Sequence, residues 1–141
     1  MFTKTLAAAA LTAAVPALVF SNPGTSEAAP PCSQWGFDGP SFFRQSNDWT
    51  FNFDSTGPKA QGPAQADHFG HDVMNGTISG GIDGYAVNLD VHWDTGSVGK
   101  YTGSVDANGF ASGTTYDAKY PNSTATWNSN SAFRCITPPP S

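Results

Sequence analysis

The residues with the densest chemistry share one short segment, Asp67-His68-Phe69-Gly70-His71-Asp72. Two imidazoles three residues apart, His68 and His71, flanked by carboxylates, are donor types that hold zinc or another borderline metal, with the aspartates as further ligands or ring-orienting partners. No third or fourth ligand stands at a recognisable spacing, and Gly70 disfavours presentation on a helix. A pair of loop histidines is the plainer alternative. His92 follows Asp90 and Asn88 at alternate positions, so a serine brought in from elsewhere would complete a nucleophilic triad. No G-x-S-x-G elbow presents such a serine, and none of the ten aspartates beyond residue 28 pairs with another in a way that suggests glycoside hydrolysis. The chain therefore reads as non-enzymatic, with no cofactor implied and a hydrolase or metal-binding protein as the lesser alternative.

The aromatic residues offer a different chemistry, that of binding. Trp35, Trp49, Trp93 and Trp127, with Tyr85, Tyr101 and Tyr116, are numerous for so small a core. Ring-lined pockets with a few polar groups are the usual small-molecule site. Trp93 belongs to the core, because every residue on its strand face is apolar. Trp127, between Thr126 and Asn128, and Tyr116, beside Asp117, fit a rim. Trp35, Trp127, Tyr101 and Tyr116 are the candidate ligand-binding residues, and simple core filling is the competing role for each.

These side chains must be held by strands, since alternation with a period of two runs through nearly the whole chain after residue 30. Tyr85, Val87, Leu89, Val91 and Trp93 share one face, against Ala86, Asn88, Asp90 and His92. Trp49, Phe51 and Phe53 alternate with Thr50 and Asn52. Lys100–Val105 and Phe110–Asp117 alternate likewise, and shorter strands fit Val73–Ser79, Ala125–Asn128, Ala132–Ile136, Gln34–Phe37 and Phe42–Gln45. Asp106-Ala107-Asn108-Gly109 and Asp94-Thr95-Gly96 are turn sequences, because Asn and Gly tolerate positive φ. Gly80-Gly81 with Asp83-Gly84 is expected to break the chain before Tyr85. Ser55 to Gly70, with two prolines and three glycines, reads as one long irregular loop. The expectation is an all-β protein, a small antiparallel β-barrel or sandwich of about seven to nine short strands.

The ends set the compartment. Lys4, an apolar stretch from Leu6 to Phe20 and the small residues up to Ala28 have the order of an export signal, with residues 1–28 removed. The stretch is shorter than the roughly 20 residues that span a bilayer. Residues 29–137 then form one domain, and 138–141, with three consecutive prolines, a disordered tail. Beyond residue 28 stand five Lys and Arg against ten Asp and no Glu, for a net charge of −5. That balance excludes a nucleic-acid or anionic-lipid surface. Leu, Ile, Val and Phe number only 17 there, but 16 aromatic residues supply apolar area in their place. The two cysteines, Cys32 and Cys135, lie near opposite ends of the exported chain. In an oxidising exterior they are expected to pair, which requires Cα atoms within about 7 Å and so brings the first and last segments together. Asn75-Gly76-Thr77 and Asn122-Ser123-Thr124 match the glycosylation sequon, without meaning in a bacterial source.

The Ala-Pro-Pro-Cys run after the signal, the Trp49-Thr-Phe-Asn-Phe53 strand and the hairpin from Gly103-Ser-Val-Asp-Ala-Asn-Gly109 to Gly113-Thr-Thr-Tyr-Asp117 resemble small secreted proteins of mycobacteria and related actinobacteria. That resemblance implies an exported β fold and no particular activity. The hairpin is similar in outline to those of avidin-like and lipocalin-like barrels, but neither a biotin-site pattern nor a lipocalin G-x-W start is present. The combined expectation is a secreted β-barrel that takes a small apolar or aromatic ligand. The alternative is a non-catalytic cell-envelope module that meets a protein or glycan.

Overall fold

The computed structural model describes residues 31–137, so the expected export signal at 1–28 and the expected tail at 138–141 lie outside the described residues. Nine strands follow one another: β1 (Gln34–Gln45), β2 (Trp49–Gly57), β3 (Gly62–His68), β4 (His71–Asp83), β5 (Ala86–Trp93), β6 (Val98–Val105), β7 (Ala111–Asp117), β8 (Tyr120–Ser129) and β9 (Arg134–Thr137). Each of β1 to β7 pairs antiparallel with the next, and β8 returns to the C-terminal half of β1 through Trp127↔Gln45, Asn128↔Arg44 and Ser129↔Phe43. The sheet is thereby a closed eight-stranded barrel. The short β9 adds to the start of β1, pairing Arg134 with Gly36 and Cys135 with Trp35. Closure leaves the eight strands without a free edge, which is how an all-β domain avoids pairing with other chains.

Alternation explains the interior. Phe43 on β1, Phe51 and Phe53 on β2, Val87, Leu89, Val91 and Trp93 on β5, Tyr101 and Val105 on β6, and Trp127 on β8 all point inward and are buried. Their neighbours Asn52, Asp54, Asn88, Asp90, His92, Thr102, Thr114 and Asn128 take the outer face. An eight-stranded barrel is just wide enough to be filled by side chains, and rings fill this one. Phe43 stacks on Trp127 with centroids 4.6 Å apart. Phe51 stacks on Tyr101 at 4.8 Å, and Phe37 meets Phe53 edge-on at 5.1 Å.

Three expectations are corrected. The stretch from Ser55 to Gly70 is not one long loop, because β2 runs on to Gly57 and Gly62–His68 forms β3 between β2 and β4. Pro63 is tolerated there because it lies one residue beyond the last β2–β3 pair, Phe53↔Ala64. The break before Tyr85 falls at Asp83-Gly84 and not at Gly80-Gly81; β4 continues through both glycines to Asp83, and Gly81 also bridges to Lys59. Tyr85 leaves the apolar face assigned to it, since β5 begins at Ala86 and the Tyr85 ring is exposed after the Asp83-Gly84 turn. The one or two strands expected around Gln34–Phe37 and Phe42–Gln45 are a single strand passing through Gly39-Pro40.

Candidate functional site

The two ends of the barrel are built differently. At one end, where β1 begins, the Cys32–Cys135 disulfide joins segments 103 residues apart in sequence, with Cα atoms 5.8 Å apart. Gln34 seals the same end: its amide nitrogen donates to the carbonyls of Trp35 and Ile82, and its amide oxygen accepts the Gly84 N–H. Phe133, between β8 and β9, packs against Phe37 and Phe43, while its N–H donates to the Gly109 carbonyl at 2.7 Å. Trp35 lies over Gly109, where an added Cβ would come within 3.2 Å of the indole. Rings, amide and sulfur bridge leave this end shut.

At the opposite end, ringed by the β1–β2, β3–β4, β5–β6 and β7–β8 hairpins, the inward-facing layer does not fill the barrel. Gln45, Trp49, Met74, Trp93, Thr115 and Asp117 project from five strands, but β3, β6 and β8 contribute only Ala66, Gly99 and Ala125 at this level. Those three small residues leave a cavity of about 210 Å³, open to solvent. Tyr101 forms part of its floor. The phenol oxygen accepts a hydrogen bond from Gln45 Nε2 at 2.7 Å. Burial pushes the Tyr101 phenol well above its ordinary range, against the opposing hydrogen bonds of Thr115 and Gln45. The floor is therefore neutral at physiological pH. Trp93 can lie flat on the wall because Gly76 faces it; a Cβ there would meet Trp93 Cε3 at 2.8 Å and the His92 carbonyl oxygen at 2.5 Å.

No family model, curated protein or solved structure matches the chain. Its site has to be read from its own residues.

Of the candidate ligand-binding residues, the structure brings Tyr101 and Tyr116 to the mouth cavity and sends the other two elsewhere. Trp35 belongs to the sealed end. Trp127, expected at a rim, is instead wholly buried. Its indole covers the Gly103↔Gly113 pair of β6 and β7, and its Nε1–H points to the carbonyls of Thr102 and Thr114 at 3.2 and 3.0 Å. A Cβ at Gly103 would come within 2.8 Å of that ring, so the glycines make its bed. Trp49, counted among the abundant rings, and Met74, Gln45 and Asp117 are cavity residues outside the candidate ligand-binding set. Their signal was parity: each continues the inward alternation of its strand by one more step.

His68 and His71 pair across the β3–β4 hairpin beside the mouth. His68 stacks on Trp49 with centroids 5.2 Å apart, and its Nδ1 lies 3.8 Å from Asp72. Among the described residues, no three His, Cys, Asp or Glu side chains group as a metal site. Asp90 pairs with Lys100 at 3.0 Å across β5 and β6, which gives that carboxylate a partner other than His92. No helix among the described residues is long and apolar enough to cross a membrane.

Proposed function

We propose that the protein is a secreted β-barrel that binds a small apolar or aromatic molecule in its open mouth. The observation that carries this reading is the aromatic-lined cavity of about 210 Å³ above Tyr101. Ordinary drug-sized sites start at about 300 Å³, whereas a cavity of about 150 Å³ holds benzene. The fitting ligand is thus about one ring in size. Trp49, Trp93 and Met74 offer it apolar contact, and Gln45, Ser97 and Thr115 offer hydrogen bonds that fix its orientation. The disulfide supports the compartment, since such bridges persist in oxidising surroundings.

The four indoles supply both the probe and its control. Titration with benzyl alcohol, followed through the indole N–H resonances, is expected to shift Trp49 and Trp93 and to leave buried Trp127 unchanged. No shift at either mouth indole up to the solubility limit of benzyl alcohol would refute the reading.

A second reading, an envelope module that meets a protein or glycan, is favoured by a different feature. A groove of about 670 Å³ crosses the outer wall of β1 to β4, where Phe42, Pro40 and Pro63 flank Asn52, Gln65 and Asn75. Phe42, Asn52, Gln65 and Asn75 form one cross-strand row, tightened by a Gln65–Asn75 hydrogen bond of 3.0 Å. Substituting Phe42→Ala should weaken attachment to envelope fractions from the source organism under this reading. Unchanged attachment would dismiss it.

A further inference from the structure

The mouth cavity contains one charged side chain, Asp117, and no Lys, Arg or His. We propose that the mouth selects a small alkylated ammonium ion, with Asp117 as counter-charge and Trp49, Trp93 and Tyr101 as the aromatic wall. This rests on the reading of the mouth as a ligand site and names the class of ligand.

Five observations converge on it. Asp117 occupies the same inward parity of β7 as Ala111 and Thr115, opposite Gly99, whose lack of a side chain keeps the approach clear. One of its oxygens, Oδ1, accepts the Lys119 N–H at 2.8 Å and so fixes the β7–β8 turn. The ion pairs among the described residues engage Asp38, Asp72 and Asp90 instead of Asp117. The rings present electron-rich faces, which attract an organic cation lying over them. Finally, a net charge of −5 raises the local concentration of cations around the barrel.

The same features exclude the alternatives. An anion would meet an uncompensated carboxylate. A bare metal ion or unsubstituted ammonium would have to shed tightly held water against apolar walls that give little in return. An alkylated ammonium is weakly hydrated, spreads its charge over methyl groups and suits a space of about 210 Å³.

The test compares choline with 3,3-dimethylbutan-1-ol, its uncharged isostere, on the full exported chain, read through the indole N–H signals of Trp49 and Trp93. Choline is expected to bind about tenfold more tightly, the scale of a ring-stabilised cation with one counter-charge. Asp117→Asn keeps an acceptor for the Lys119 N–H, so the turn persists while the charge goes; the choline advantage should fall below about threefold. If that variant loses its native indole spectrum, Trp49→Leu serves instead and should cost choline more than its isostere. Equal or tighter binding of the isostere overturns the ammonium assignment and leaves the mouth reading intact. Binding of benzyl alcohol alone does the same. Silence from all three probes defeats both.

Discussion

The sealed end and the open mouth of this barrel are made from the same kinds of residue, yet they do opposite things. At the sealed end and in the interior beneath the mouth the rings are matched by partners: Phe37 meets Phe53 and Phe133, and Trp127 lies between Phe43 and a glycine floor. At the mouth, Trp49 touches His68 on one side and open space on the other. The difference comes from what stands opposite. Where a facing strand brings Phe, the barrel is filled; where it brings Ala66, Gly99 or Ala125, a cavity remains. Aromatic abundance alone does not separate packing from binding. The sizes of the facing residues do.

The largest expected contrast is between two tryptophans. Trp127→Ala should destabilise the protein by about 3–5 kcal/mol, as for a fully buried ring. Trp49→Ala, at the half-buried mouth, should cost only about 1 kcal/mol. Denaturant unfolding measures both, and equal costs would mean that the mouth is core. Next comes the clasp. Replacing Cys32 and Cys135 together by Ser should cost about 2–5 kcal/mol, seen as a lower melting temperature, while the response of the mouth indoles to benzyl alcohol persists. Loss of that response in the folded variant would show that the two ends are not independent.

Tyr101 gives a pH-dependent contrast. Below 10.0, the ordinary phenol value, Tyr101 is protonated both folded and unfolded. Above it the unfolded phenol ionises while the buried one does not, so stability falls as pH rises. By pH 11 this amounts to on the order of 1 kcal/mol, and Tyr101→Phe should remove that share of the alkaline loss. An identical pH profile in the variant would mean that the phenol is not shielded. The smallest effect concerns Phe69, which turns the β3–β4 hairpin with φ 57° and an exposed ring. That conformation suits Asn or Gly better than an aromatic residue. Phe69→Asn should stabilise the protein by up to about 1 kcal/mol, raising the melting temperature slightly.

The architecture was largely legible because alternation and turn chemistry are local. Val87 to Trp93 announced β5, and Asp106-Ala107-Asn108-Gly109 announced the β6–β7 hairpin, where Gly109 adopts φ 91° and Asp106 Oδ1 accepts the N–H groups of Asn108 and Phe110. β3 was hidden because its inward positions are Ala64 and Ala66, too small to mark a strand, with Pro63 beside them. The mouth was harder to read. Its shape depends on which residues face each other across the barrel, and the Gly99↔Asp117 pairing is set by strand register, which Gly99 and Asp117 do not reveal in sequence. Trp127 misled for the same reason: polar neighbours suggested a rim, while the bed that buries it comes from Gly103 and Gly113 on two other strands.

The most direct test of the asymmetry between the ends is a crystal structure grown with benzyl alcohol. One molecule is expected in the mouth, between Trp49 and Trp93 above Tyr101, with the packing around Phe133 and Cys32–Cys135 unaltered. An empty mouth, with the ligand lodged at the disulfide end or on the outer wall, would contradict it.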